Sequence, residues 1–464
     1  MSSSSESRCE IQHVYPLSCG QRQLWFLSRL DSGNPAYNLS MAWRCSGPVD
    51  PEALQWALNE VIRRHEILRT HFIEADGIPS QIVRDGYEFE LPVVDCKAED
   101  LPKVSTEHAG YRFVLEEYPA IRGVLIRLAG EEYVLQLTMH HILADGWSLG
   151  LLLRETVHFY EAYMRGVSGR LKVLPIQYGE FAANEFSASR QAEFKRQVRY
   201  WRERLLELPL LELPTDRVRP MVPSHRGGSV AVEFPAGLSR RLKELAQGQG
   251  VTLFMVLLAG FQLLLSRWSG KQDVVVGTDV ANRNRAELEQ LIGFFVNQLV
   301  LRTEVSRELS VGQFLGRVRE VCLGAYAHQE LPFERLVEEL NPERSLGRTP
   351  LFQVKLILQN APMPEVEPTG IHLEAIAVDP GFCQFDLSMS VWNTGEKLAA
   401  QFMYATDLYE SSTVERMAGH WLTLLEGMAS DAGRKVGELE MLSESERQQA
   451  QYIKAEKWNS LSTR

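Results

Sequence analysis

The sequence predicts an α+β protein built as two lobes, and three observations carry that prediction. The chain has 464 residues, long for a single hydrophobic core. Apolar strands and amphipathic helices both occur, yet the part before residue 140 lacks the regular βαβα alternation of a doubly wound sheet. A connector rich in Gly, Lys and Arg, MRGVSGRLKVLP at 164–175, places a boundary near residue 175.

In chain order, residues 1–13 have no apolar core, so they are read as a flexible leader and not as a signal peptide. Ser18 is placed to cap a helix carrying Leu24, Phe26, Leu27 and Leu30 near helical spacing. Asp50-Pro51 starts the next helix, with Asp as N-cap and Pro in the first turn. Its apolar face is Leu54, Leu58, Val61 and Ile62. A strand includes Gln81 to Val83, and an acidic, loop-rich stretch runs to about residue 106. Ile121 to Leu128 leads into a central buried strand, where Tyr133, Leu135 and Leu137 alternate with Val134, Gln136 and Thr138. Ser148 to Tyr163 reads as a helix with an apolar face of Leu149, Leu152, Leu153, Val157 and Tyr160. Beyond the connector come an exposed charged helix at 190–206 and a turn at Arg226–Ser229 into a strand at 230–234. A buried helix at 251–267 and an apolar strand at 273–278 follow.

Composition narrows the function. The chain is 45% hydrophobic and 23% charged, ordinary for a soluble globular protein. A net charge of −11 argues against a nucleic-acid partner. Six cysteines (Cys9, Cys19, Cys45, Cys96, Cys322, Cys383) form no C-x-x-C pair. That suits a reducing cytoplasm and suggests neither a zinc site nor a disulfide framework. The longest apolar run, Val251 to Leu265, contains Gln262 and is too short to span a bilayer. A cytoplasmic monomer without a membrane span or metal site is expected.

The chemistry is expected between the central strand and its helix, at His140, His141, Asp145 and Gly146. Polar groups at the end of a buried strand sit on a rigid support. Two motifs overlap here. Gly146-Trp147-Ser148-Leu149-Gly150 matches G-x-S-x-G, the nucleophile elbow of α/β-hydrolases. That reading requires several βα units before the elbow, which the sequence lacks, so Ser148 is not expected to be a nucleophile. The other motif, HHxxxDG, resembles that of nonribosomal peptide synthetase condensation domains. Their wider superfamily includes chloramphenicol acetyltransferase.

Ordered motifs extend the resemblance from about residue 14 to about 430. Pro16-Leu17-Ser18 with Gln21 to Leu27 is similar to the family's opening motif, with Gly20 where Ala is usual. Arg64 to Phe72 (RHEILRTHF) is similar to RHExLRTxF, and there His65 and Arg69 are read as structural charge pairing. Ile176 to Ala182 resembles the YxDFAxW segment, with Glu180 for Asp and Asn184 for Trp. Ile292 to Arg302 resembles IGFFVNTxxxR, with Gln298 for Thr. His328 to Glu334 and Arg348 to Phe352 match the segments after it.

The resemblance implies two chloramphenicol acetyltransferase-like lobes, 14–175 and 176–435, set in a V around a central tunnel. Residues 436–464 resemble the linker to an adenylation domain. The implied reaction is amide formation between a donor acyl thioester and the amine of a carrier-bound aminoacyl acceptor. The alternatives are an ester-forming relative and a non-catalytic carrier-binding module. His141 is the implied catalytic residue, with the Gly146 N–H available to an oxyanion. His140 faces the core by strand alternation. Asp145 is structural by family analogy, with Arg283 as its candidate partner. Trp147, Ser148, Asn297 and Gln298 are candidate tunnel residues. No cofactor is expected on the domain itself, because the substrates ride on the 4′-phosphopantetheine of carrier domains or on CoA. Donor and acceptor carriers and an adjacent adenylation domain are the expected partners. Because Met1 lies about a dozen residues before the first motif, the donor is expected from another polypeptide, or as a fatty acyl group in a starter-type domain.

Overall fold

The computed structural model describes residues 11–448, apart from 32, 118–119, 343–346, 360–367, 369, 377–380, 396 and 444–445. The N-terminal lobe runs β1 (Ile11–Pro16), α1 (Cys19–Leu30), β2 (Asn38–Ser46), α2 (Pro51–Arg64), β3 (Thr70–Ala75), β4 (Ile78–Arg84), β5 (Val93–Asp95), α3 (Leu101–Ala109), β6 (Ile121–Arg127), β7 (Glu132–His140), α4 (Gly146–Met164) and α5 (Tyr178–Asn184). The C-terminal lobe runs α6 (Ala188–Arg204), β8 (Gly227–Glu233), α7 (Leu238–Gly248), α8 (Leu253–Ser269), β9 (Asp273–Val280), β10 (Asn297–Glu304), α9 (Val311–Ala327), α10 (Phe333–Leu340), β11 (Val354–Gln359), β12 (His372–Ile376), β13 (Leu387–Asn393), β14 (Leu398–Ala405) and α11 (Ser411–Ser430).

Local chemistry sets the helix starts. Ser18 and Gln21 form a reciprocal capping box on α1. The Asp50 side chain accepts the N–H groups of Glu52 and Ala53, and Pro51 opens α2. Thr252 caps α8, which is apolar nearly all round and lies buried among α7, α9 and α11. Among the described residues no single helix is long and apolar enough to cross a membrane.

The strands form three sheets. The smallest is β1-β4-β3. The N-terminal lobe is built on β12-β2-β7-β6-β5, and the C-terminal lobe on β10-β9-β11-β13-β14-β8. In the second sheet β7 lies between β2 and β6, antiparallel to both, so its end is firmly held. Helices α2 and α4 pack on each other beside this sheet. Each lobe has its own large apolar core.

Several expected boundaries move. The first strand begins at Ile11, inside the expected leader, because it pairs with β4; residues 1–10 lie outside the described residues. The lobe change falls after α5 and not at 175. Tyr178, Phe181 and Ala182 of α5 are buried in the N-terminal core. Gly227 to Ser229 belong to β8 and do not form a turn; glycine is needed because a Cβ at 228 would meet the Tyr404 ring at 2.5 Å. The expected linker is lobe at its start. Val436 and Leu439 are buried in the C-terminal core, and Arg267 Nη2 donates to the Val436 carbonyl at 2.8 Å. Residues 449–464 of that linker lie outside the described residues.

Two segments of the C-terminal lobe cross over. Strand β12 adds to the N-terminal sheet beside β2, and Leu288, Leu291, Ile292 and Phe295 enter the N-terminal core. The lobes therefore meet around the loop that follows β7.

Candidate active site

His140 ends β7 and Gly146 opens α4, so the intervening loop is held at both ends. The His141 N–H donates to the Tyr37 carbonyl at 2.8 Å. Its Nδ1 lies 2.9 Å from the Ala144 carbonyl oxygen. A carbonyl only accepts, so Nδ1 carries the proton and Nε2 keeps its lone pair. The Phe294 ring meets the imidazole edge-on at 5.2 Å. Burial pulls the His141 pKa below 6.5, so the ring is neutral at pH 7.

His140 turns the other way and is buried. Its Nδ1 accepts the Ile142 N–H at 3.1 Å. Burial pushes its pKa down to about 3, with His141 adding to the shift.

Asp145 does not reach toward the imidazole. It caps α4 and joins the lobes. Oδ1 accepts the Ser148 N–H at 2.9 Å and Arg283 Nη2 at 3.0 Å, and Oδ2 accepts the Phe295 N–H at 3.0 Å. Arg283 is itself buried. Its Nη1 donates to the Leu288 and Leu291 carbonyls, and its guanidinium lies 4.2 Å from the Phe295 ring centroid. The sequence-expected pair thus sits at the lobe interface with both charges enclosed.

Ser148 does not line the cavity, contrary to expectation. Its Oγ lies 2.8 Å from Asp145 Oδ1 and 3.0 Å from the Gly293 carbonyl, and accepts from Arg283 Nη2 and the Gly293 N–H. A hydroxyl held this way, 1% exposed and with no histidine among its partners, is a structural bolt. Asn297 lines the cavity, but its amide is spent on structure. Nδ2 donates to the Gln329 and Leu331 carbonyls, and Oδ1 accepts the Gln298 and Phe333 N–H groups.

A cavity of about 930 Å³ lies between the lobes. His141, Gly146 and Trp147 line it from one lobe, Phe294 and Gln298 from the other. Trp147 Nε1 donates to the Glu289 carbonyl at 3.1 Å, which fixes the indole at the wall. As the first residue of α4, Gly146 has no intrahelical acceptor for its N–H. A Cβ there would meet nothing within 4 Å, so the space beside Gly146 is open.

The opening motif and Tyr178 bear on this loop and on Phe294 beside it, and the other motif residues hold the surrounding elements. Gln21 Nε2 donates to the Ile142 carbonyl at 3.1 Å. Tyr178 Oη lies 2.9 Å from Ser18 Oγ and donates to the Phe294 carbonyl at 2.8 Å. Gly20 leaves room for Phe294, since a Cβ there would lie 2.7 Å from that ring. His65 accepts the Ile292 N–H at 3.3 Å and contacts Glu155 at 2.8 Å, while Arg69 binds the Arg84 carbonyl at 2.6 Å. Glu180 caps α5 by accepting the Gln177 N–H.

Sequence reasoning missed Phe294 as the neighbour of His141. It also missed an ion pair on the cavity wall, Lys355 Nζ to Asp279 Oδ2 at 2.7 Å. A signal existed: Lys355 is a lone charge inside an apolar strand, which needs a partner when buried. Among the described residues no group of three or more His, Cys, Asp or Glu side chains is arranged to hold a metal ion.

The condensation domain family model matches residues 11–450. The chain is 42% identical over 461 residues to a linear gramicidin synthase protein of Brevibacillus parabrevis, covering 97% of this chain and 6% of that protein. It is 34% identical over 443 residues to bacitracin synthase 3 of Bacillus licheniformis, covering 95% and 7%. This chain therefore spans only a small part of these relatives. Among solved structures, the X-domain from teicoplanin biosynthesis superposes with a TM-score of 0.85 at 29% identity, covering 92% of this chain and 97% of that one. The first condensation domain of the calcium-dependent antibiotic synthetase, in complex with a substrate analogue, superposes at 0.79 with 20% identity, covering 93% and 100%, and supports the fold. The family model spans nearly the whole chain: the chain belongs to the condensation domain family.

Proposed function

We propose that this domain joins a donor acyl thioester to the amine of a carrier-bound aminoacyl acceptor, forming an amide in nonribosomal peptide synthesis. Condensation domains are amide-forming acyltransferases. The observation that carries the reading for this chain is the placement of His141: Nδ1 faces the Ala144 carbonyl, which leaves Nε2 as the acceptor, and the ring lines a cavity between the lobes. The volume suits a small polar ligand with its thioester arm.

The amine nitrogen attacks the thioester carbonyl carbon. The C–N bond forms, the C–S bond breaks, and the donor sulfur leaves as a thiolate. His141 Nε2 accepts a hydrogen bond from the amine, takes one proton as the bond forms and returns it to the departing thiolate. An amine with a pKa of about 7.7–8 is already roughly a tenth neutral at pH 7, so prior deprotonation costs only about 1 kcal/mol. Alignment of the two reactants is worth roughly 7–11 kcal/mol and dominates. The Gly146 N–H, at the positive end of α4, faces the negative charge that grows on the carbonyl oxygen. Asp145 and Arg283 act by holding the loop. Trp147 and Gln298 contact substrate along the wall.

Both substrates are carried on 4′-phosphopantetheine arms, the donor alternatively on CoA. The partners are donor and acceptor carriers and an adjacent adenylation domain, with the domain itself monomeric and cytoplasmic. The test offers an aminoacyl acceptor carrier with either a fatty acyl thioester or an aminoacyl donor carrier, and reads the intact mass of the acceptor. A mass gain from either donor supports amide formation and identifies the donor class. No gain from either, while both carriers bind, would replace it with an ester-forming or non-catalytic role.

A further inference from the structure

The aromatic ring beside His141 comes from the other lobe. Phe294 follows β9 of the C-terminal lobe, in the segment that packs into the N-terminal core. Three side chains of the N-terminal lobe pin the backbone around it. Tyr178 Oη donates to the Phe294 carbonyl at 2.8 Å, Asp145 Oδ2 accepts the Phe295 N–H at 3.0 Å, and Ser148 Oγ accepts the Gly293 N–H at 3.1 Å. With its backbone fixed in this way, the Phe294 ring lines the cavity and meets the imidazole at 5.2 Å and 73°.

The seat of that ring is cut into α1. A Cβ at Gly20 would have its three nearest atoms, at 2.7, 3.0 and 3.8 Å, all in the Phe294 ring. Gly20 lies in the first turn of α1 and is not among the glycines with positive φ, so the backbone does not call for glycine there. Alanine is the better helix former. What glycine supplies is room for one ring. With a Cβ present, the ring would have to retreat by about 0.7 Å to reach ordinary contact at 3.4 Å.

We infer that Phe294, seated at Gly20, is a positioning residue for His141: it sets the plane of the imidazole and so the direction in which Nε2 points. The inference rests on the condensation reading and deepens it. The Nδ1 bond to the Ala144 carbonyl holds one corner of the imidazole. One hydrogen bond leaves the ring free to swing about that corner, because the last torsion of a histidine side chain is soft. The aromatic contact, which has a preferred geometry of its own, removes that freedom. Alignment dominates the rate of the reaction, so a misdirected Nε2 slows bond formation and leaves carrier binding intact. The imidazole belongs to one lobe and its support to the other, so the histidine is aligned only when the lobes are seated on each other.

The test is a double-mutant cycle on the whole chain: Gly20→Ala, Phe294→Ala and the two together, with Phe294→Leu in place of the alanine variant if that is insoluble. Three quantities are read: the single-turnover condensation rate with preloaded carriers, the carrier dissociation constants, and the Cε1 NMR signal of His141, assigned by its loss in His141→Ala. Phe294→Ala should slow condensation about tenfold or more, within the roughly 10²-fold that a 1 Å misplacement can cost, with carrier affinity inside about twofold of wild type and the His141 signal displaced. Gly20→Ala should slow condensation about threefold or more when Phe294 is present and less than about twofold when it is absent, because the added Cβ then has no ring to displace. An equal effect of Gly20→Ala in both backgrounds would overturn the inference. So would a Phe294→Ala protein with a wild-type rate or an unmoved His141 signal, or a loss of rate matched by a loss of carrier affinity. A wild type that condenses no aminoacyl carrier would overturn the condensation reading instead, while the His141 signal in Phe294→Ala still decides the positioning.

Discussion

Asp145→Ala removes one carboxylate that does three jobs. It cancels the charge partner of Arg283, frees the Phe295 N–H and uncaps α4. Arg283 stays enclosed, with its Nη1 bonds to two carbonyls intact but no countercharge at 3.0 Å. Leaving a buried partner unpaired costs roughly 3–5 kcal/mol. An orphaned buried N–H costs about 1–3 kcal/mol, and a lost cap about 1. The three losses share one carboxylate and do not add fully, so about 4–5 kcal/mol is expected. That is a large part of a typical stability of roughly 5–15 kcal/mol. Urea unfolding followed by tryptophan fluorescence should show the midpoint falling by about 1 M or more, with poor soluble yield. Asp145→Ala/Arg283→Met removes both charges and should recover a substantial share. A midpoint within about 0.3 M of wild type for Asp145→Ala, or a double variant no better than the single, would refute the clamp.

Three further outcomes follow from the same geometry. Gly146→Ala adds a Cβ into open space, so stability should stay within about 0.5 kcal/mol of wild type while condensation falls at least tenfold; unchanged activity would show that the Gly146 edge does not face substrate. Ser148→Ala should lose about 1–2 kcal/mol through its bonds to Arg283 and Gly293 yet keep most activity, and a fluorophosphonate probe should leave Ser148 of the wild type unlabelled. His140→Asn replaces a titrating acceptor with a neutral one. In the folded wild type the His140 pKa is about 3, while the unfolded chain takes up that proton near pH 6.5. This group's stabilising effect is therefore complete above about pH 6.5 and is lost as pH falls toward 3, by about 2 kcal/mol at pH 5. Between pH 7.5 and 5 the stability gap should shift by about 2 kcal/mol in favour of His140→Asn; a gap independent of pH would contradict the burial.

Much of the fold was readable where the signal is local. The Ser18 and Asp50 caps, the alternation of β7 and the all-round apolar α8 are short-range patterns, and each appears where the residues imply it. The Asp145–Arg283 contact joins residues 138 apart. No periodicity reveals such a contact; the motif resemblance suggested it. What was misread depends on long-range packing. Helix α5 follows the connector in sequence yet packs in the first lobe, because Tyr178 ties Ser18 to Phe294. The Arg226–Ser229 stretch looks like a turn, but its glycines are there to pass beneath Tyr404 and beside Phe382. Ser148 stands beside the motif in sequence, but the first turn of α4 directs it into the lobe interface.

The central claim is that His141 takes the proton in the bond-forming step at the cavity wall, beside the Gly146 N–H, while Asp145 and Arg283 hold the loop in place. The most direct measurement is a single-turnover condensation assay of His141→Ala beside wild type, with donor and acceptor carriers preloaded and the acceptor followed by intact mass, and with unfolding midpoints taken on the same preparations. The account predicts an unchanged midpoint, both carriers still bound, and condensation slowed by at least about 10²-fold, the lower end for a group that takes a proton in the transition state. Condensation at the wild-type rate by a folded His141→Ala protein would contradict it.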